Sequence, residues 1–159
     1  MSARISLLIL STLFVSTSLY AQAQQDPFVG TWKQNLAKSK YDPANLTPRV
    51  GTTIKREASG NGYKVTSDGV NAQGVATHTE YTVATLDGKD YPLTGSEYDS
   101  SAFKRIDANT FIRVDKRGGA VARVVRIVVS KDGRTYTADS VGYNAQGVAF
   151  HNVTVFDKQ

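Results

Sequence analysis

The sequence predicts an all-β chain, an antiparallel up-and-down meander of about ten strands that closes on itself as a barrel. Three observations carry this reading. From Asp26-Pro27 almost to the end, Val, Ile, Thr, Tyr and Phe alternate with polar residues at the period of two that a half-buried strand requires. The stretches between them are short and rich in Gly, Asn and Asp, the residues that make hairpin turns. A meander of this length has two unpaired edges, and closure is the usual way to remove them. An open or two-sheet arrangement is the alternative.

The elements follow in order. The first strand is expected near 28–35. Next comes the one long connection, NLAKSKYDPANLTPRV at 35–50, whose prolines at 43 and 48 fit no strand, although LAKSK could wind one helical turn. Strands are then expected near 50–58, 63–70, 75–86, 89–94, 101–106, 110–116, 120–130, 135–143 and 148–157. The turns between them are SGNG (59–62), NAQG (71–74), LDGK (86–89), DANT (107–110), KRGG (116–119), SKDG (130–133) and NAQG (144–147).

The chain repeats itself. NAQGVATH at 71–78 returns as NAQGVAFH at 144–151. At the same offset Ile54 meets Ile127, Gly60 meets Gly133, Tyr63 meets Tyr136 and Ser67 meets Ser140. The repeated unit reads as a three-stranded meander, with Gly74 and Gly147 closing the NAQG turns in the left-handed region. A pair of histidines, His78 and His151, comes with it, and they are the only two in the chain. Strand alternation puts both opposite the aromatic face, hence outward, and no third ligand recurs at a zinc-like spacing. A folding module used twice explains the repeat better than a duplicated metal site.

Composition narrows the function classes. The opening MSARISLLILSTLFVSTSLYAQAQ has one cation, an apolar run and Ala21-Gln22-Ala23, the pattern of a secretory signal over residues 1–23, with one domain over 24–159. The run is too diluted by Ser and Thr for a membrane span. With no cysteine there is no disulfide framework and no thiolate site. The net charge of +5 is scattered along the chain rather than gathered into a stripe, which argues against nucleic acid. A secreted or periplasmic monomer without a cofactor is expected. No nucleophile elbow or activated base is evident, so no enzymatic site is expected.

Arginines on the strands are the informative residues. Arg123 lies among Val121, Val125, Ile127 and Val129, Arg113 shares a face with Phe111, and Arg56 shares one with Ile54. A guanidinium inside an apolar barrel must be paired or wet, and it is a natural anchor for an acidic group. The same arginines could instead pair with Glu57, Glu80 or Asp115.

The stretch FVGTWKQN at 28–35 resembles the opening of the calycin superfamily: it looks most like the fatty-acid-binding proteins and also carries the G-x-W of the lipocalins. The closing VTVFDKQ at 153–159 is similar to the last strand of the fatty-acid-binding proteins. The resemblance implies that Trp32, entered through Gly30, closes the base of the barrel. It departs at the ligand, because the family's Arg-x-Tyr on the last strand would fall on Thr154 and Phe156. The family's helical lid is replaced by the shorter segment 36–49.

The expected function is therefore an exported binding protein for a small, mostly apolar and lipid-like ligand with an acidic end. Tyr63, Val65, Tyr81, Val83, Phe111, Phe150 and Phe156 are the expected lining, and Arg123, with Arg113 or Arg56, the expected anchor. Two alternatives stand beside it. One is an interaction or inhibitor module with a solid core, working through segments 36–49 and 94–101. The other is a haem or metal barrel using His151.

Overall fold

The computed structural model describes residues 26–159. The secretory signal read at 1–23 lies outside them. The described chain forms one antiparallel sheet of eleven strands: β1 (Gly30–Gln34), β2 (Lys40–Asp42), β3 (Val50–Ser59), β4 (Gly62–Val70), β5 (Ala76–Val83), β6 (Asp87–Pro92), β7 (Ser100–Asp107), β8 (Thr110–Arg117), β9 (Ala120–Val129), β10 (Thr135–Tyr143) and β11 (Ala149–Lys158). Ten of them run β5-β4-β3-β1-β11-β10-β9-β8-β7-β6 around a nearly closed barrel. β1 closes it by pairing with both β3 and β11. Where β5 meets β6 a seam remains, and near it only the isolated bridges Glu80–Thr94 and Asn61–Thr85 form among the described residues. No helix among the described residues is long and apolar enough to cross a membrane.

The ten expected strands are present, and two details differ from the sequence reading. The connection 35–50 was read as strandless, yet β2 lies within it and pairs with β11 through Tyr41–Asn152. β1 leaves β11 at Gln34–Phe156, and β2 takes up the next stretch of the same strand. The Gln34 side chain ties the arrangement together, donating to the Tyr41 hydroxyl and accepting from Thr52 N at 2.9 Å. A 3-10 turn at Leu36–Lys38 fits the expected helical turn. The second difference is at LDGK: Asp87, Gly88 and Lys89 belong to β6, with a register irregularity between Asp87 and Asp90, and the turn comes earlier.

The repeat is exact only in its second hairpin. Ser67 faces Thr79 across β4–β5, and Ser140 faces Asn152 across β10–β11, the same register at the same offset. In the first hairpin Ile54 faces Ser67 while Ile127 faces Ala138, a slip of two residues that keeps every side chain on its own face. The NAQG turns themselves are copies. Asn71 Oδ1 accepts from Gln73 N and Val75 N at 3.1 and 2.9 Å; Asn144 Oδ1 accepts from Gln146 N and Val148 N at 3.0 and 2.9 Å. Gly74 (φ +85) and Gly147 (φ +76) supply the left-handed residue that each turn needs.

The base of the barrel is solid. Phe28, Trp32, Tyr63, Val83, Phe103, Phe111, Ile127, Val129, Tyr136 and Phe156 pack there as one buried cluster. Trp32 is fully buried, donates Nε1–H to the Phe28 carbonyl at 3.0 Å, and meets Tyr136 edge-on at 5.0 Å between ring centroids. Gly30 (φ +135) lets β1 start in a conformation closed to other residues. Replacing Trp32 by Ala should therefore lower unfolding stability by about 3–5 kcal/mol. Urea denaturation followed by circular dichroism checks this; a loss under about 1 kcal/mol would show that the plug is dispensable.

Candidate functional site: a cavity above the plug

Above the plug the barrel is hollow. A cavity of about 710 Å³ occupies the other end, lined by residues of β3, β4, β5, β8, β9 and β11 and of the loops there. β3, β4 and β5 contribute Thr52, Ile54, Val65, Ser67, Thr79 and Tyr81. β8, β9 and β11 contribute Arg113, Arg123, Phe150 and Asn152. The rim consists of the two NAQG turns, Leu46 and Pro48 from the long connection, and Gly95–Tyr98 from the loop between β6 and β7. The repeat thus has a structural consequence, since its two identical turns stand at the same mouth.

The chemistry concentrates on one wall. Asp115 of β8 has no solvent exposure. Its Oδ1 accepts from Arg113 Nε at 2.5 Å and from the Ser101 hydroxyl, and its Oδ2 accepts from Arg123 Nε at 2.5 Å. Burial raises a carboxyl pKa, but the two guanidiniums and the serine outweigh it and hold Asp115 below its ordinary range. Both arginines are stacked as well as paired. The Arg113 guanidinium lies 5.3 Å from the Tyr81 ring and 5.4 Å from Phe103, and that of Arg123 lies 4.5 Å from Tyr98.

Strand geometry explains how these groups meet. Phe111, Arg113 and Asp115 are alternate residues of β8 and point inward together. Arg123 faces Asp115 directly across β8–β9. Next to that pair Ala122 is an extra residue, because Lys116 pairs with Val121 and Asp115 with Arg123. This bulge corrects the expected face of β9: Val121 turns out to solvent at 59 % exposure, Ala122 turns in, and Arg123 remains inward with Val125, Ile127 and Val129.

The expected ligand residues divide between the two halves of the barrel. Arg113, Arg123, Tyr81, Phe150 and Val65 line the cavity. Tyr63, Val83, Phe111 and Phe156 belong to the packed plug. Arg56 is a case of its own: it is 3 % exposed, and its guanidinium lies 5.5–5.9 Å from the rings of Phe28, Tyr63, Phe111 and Tyr136. It donates to the Phe28 carbonyl at 3.4 Å, and no carboxylate reaches it among the described residues. Arg56 is thus buried within the plug, two residues along β3 from the cavity residue Ile54, and, contrary to expectation, does not line the cavity. Of the acids named as alternative partners, Glu57 pairs with Lys55 and Glu80 with Lys64, both on the outside. Asp115 alone is internal. Three internal arginines against one internal aspartate leave a formal charge of +2 inside the barrel.

The histidines stay outside, as the alternation indicates. His78 meets Asp68 at 2.6 Å and His151 meets Asp139 at 2.8 Å, all four side chains exposed. The carboxylate partners do not follow the repeat. His78 faces Asp68 in register, whereas the residue facing His151 is Val141. Three strands separate β5 from β11, and no group of three potential metal ligands forms among the described residues. Tyr98 and Ser101 lie in the stretch 94–101, expected only as an outer contact surface in the interaction-module reading. Tyr98 lies in an irregular loop with no periodicity to reveal its direction, and Ser101 becomes visible only through its contact with Asp115.

Comparison with solved structures agrees with this architecture. The ileal bile acid-binding protein of zebrafish, complexed with cholic acid, superposes with a TM-score of 0.52 at 15% identity, covering 84% of this chain and 99% of that one. The S-type phycobiliprotein lyase CPES of Guillardia theta superposes with a TM-score of 0.55 at 10% identity, covering 84% and 89%. The chain shares the β-barrel fold of these two proteins. No family model and no curated protein matches the sequence. Within this barrel, the Asp115 cluster is the arrangement most exposed to a test by pH. A carboxyl held low by its native partners contributes stability above its unfolded pKa, about 3.9, and loses that contribution as pH falls through the folded value. Asp115→Asn should cost about 1–3 kcal/mol at pH 7, because it leaves two part-buried guanidiniums without their carboxylate. The difference between wild type and variant should shrink below about pH 4, read from urea midpoints across the acid range.

Proposed function

We propose that this chain is an exported, monomeric binding protein, without catalytic activity of its own, that holds a small amphipathic acid inside its barrel. The apolar body of the ligand lies against Ile54, Val65, Tyr81 and Phe150, and its acidic group sits at Arg113 and Arg123. The observation that carries this reading is a pair of guanidiniums sharing one carboxylate on the wall of a cavity of about 710 Å³. Asp115 holds both arginines in place but neutralises only one of them. The remaining positive charge, with Arg56 in the plug below, favours an anion. Burying about 200 Å² of ligand hydrocarbon would stabilise the complex by about 5 kcal/mol at roughly 25 cal/mol per Å².

The zebrafish structure holds cholic acid, a carboxylate on a rigid apolar body, within the same fold, which supports this class of ligand. Export rests on the sequence pattern at 1–23. The rival reading of a solid barrel acting through its loops requires a filled interior, and the half of the barrel above the plug is hollow.

Arg123 is the better probe of the anchor, because Asp115 keeps Arg113 and Ser101 as partners when Arg123 is gone. Arg123→Gln should weaken binding of the aromatic sulfonate 1-anilinonaphthalene-8-sulfonate by about 10–100-fold, the value of a charge-assisted contact. It should leave the uncharged N-phenyl-1-naphthylamine within about threefold. Fluorescence titration of both probes reads the two effects. Failure of either probe to bind the wild-type protein, or an equal loss for both, would remove the proposal.

A further inference from the structure

The loop Leu93–Asp99, which joins β6 to β7, passes beside the seam and forms part of the cavity wall. Its two ends are fixed. Leu93 N donates to the Asp99 carbonyl and Asp99 N to the Lys116 carbonyl, each at 3.0 Å. Near the start, Gly95 crosses β5 so closely that a Cβ there would stand 2.4 Å from the His78 carbonyl oxygen, and Thr79 Oγ1 donates to the Gly95 carbonyl at 3.2 Å. Between these anchors lies Ser96-Glu97-Tyr98.

This short strap is held by one residue at the end of β8, the strand next to β7 in the sheet. Arg117 makes an ion pair with Glu97 at 2.5 Å, donates to the Glu97 carbonyl at 3.3 Å, and donates to the Asn144 carbonyl of the second NAQG turn at 3.2 Å. Tyr98, 4 % exposed, is thereby placed with its ring between two guanidiniums, 5.1 Å from Arg117 and 4.5 Å from Arg123. The ring covers the cation that the proposed ligand needs. The ion pair that holds the strap is itself part-exposed and screened by salt, so it is weak enough to open.

We propose that Tyr98 is the selectivity gate of the cavity. An acidic ligand lifts the strap by replacing the Tyr98 ring at Arg123, whereas a neutral one meets a mouth narrowed by that ring and must wait for the strap to open unaided. Charge is then selected in the rate of association as well as in the affinity. While Glu97 is paired with Arg117, its own charge is neutralised at the mouth; when the strap lifts, Arg117 is released beside the incoming anion. The proposal rests on the cavity reading above and adds a residue and a route to it.

Stopped-flow fluorescence on the mature wild-type protein, with 1-anilinonaphthalene-8-sulfonate and neutral N-phenyl-1-naphthylamine, tests it. In the wild type the sulfonate should associate about tenfold faster or more, within the one to three decades over which related association rates vary. Tyr98→Ala should speed the neutral probe and bring the two rates within about threefold, while the sulfonate keeps its higher affinity through Arg113 and Arg123. Tyr98→Phe, which retains the ring over Arg123, should behave as wild type. Glu97→Gln should raise the neutral probe's rate at low salt and lose that effect at high salt, where the wild-type ion pair is already screened. If both probes bind but their rates are unchanged in Tyr98→Ala and Glu97→Gln, the gate is overturned and the cavity reading stands. If either probe fails to bind the wild-type protein, both fall.

Discussion

A carboxylate without access to water, clasped by two guanidiniums, is the contact on which the interior of this barrel depends. Asp115 alone would be untenable at its position, since an unpaired buried charge costs several kcal/mol. Arg113 and Arg123 make it tenable, and Asp115 in turn keeps two cations on an apolar wall without their folding outward to solvent. Ser101 occupies a further acceptor position, and the rings of Tyr81, Phe103 and Tyr98 cover the guanidinium faces. The cluster is satisfied in its hydrogen bonds and unbalanced in its charge.

The two halves of the barrel solve different problems. The base is packed by Trp32, Phe28, Phe111, Tyr136 and Phe156, and this apolar burial supports a fold that has no disulfide. The mouth end gives up that packing for volume and is lined instead by hydroxyls, amides and the arginine pair. Arg56 stands at the boundary, its charge facing four aromatic rings rather than a carboxylate. The repeated NAQG turn serves the mouth in both copies. Its Asx geometry makes a rigid rim that needs no packed core beneath it.

Much of the fold was legible because strand alternation and turn chemistry are local. Tyr63 and Tyr136, or Ser67 and Ser140, face inward as the period of two requires, and each NAQG has the glycine its turn demands. The site was legible only in part. Arg113 and Arg123 could be singled out as cations on apolar faces, but nothing in their spacing distinguished Asp115 from Glu57 or Glu80 as partner. The bulge at Ala122 determines which residues of β9 turn inward, and a bulge is a property of a strand pair, which a single strand does not reveal. The plug was misjudged in the same way. Phe111 and Phe156 are inward, as alternation says, but their height along the barrel decides whether they line a space or fill one.

The order of residues by itself determined the strand count around the barrel, the hairpin positions, the outward histidines and the inward arginines, because each follows from a period or a turn within about a dozen neighbours. Only the tertiary structure decided that β2 would extend the line of β1 along β11, that Asp115 would take both arginines, and that Tyr98 would cover one of them. These depend on distances between segments far apart in the chain, set by how the sheet curls and closes. Local sequence preferences carry no information about such distances.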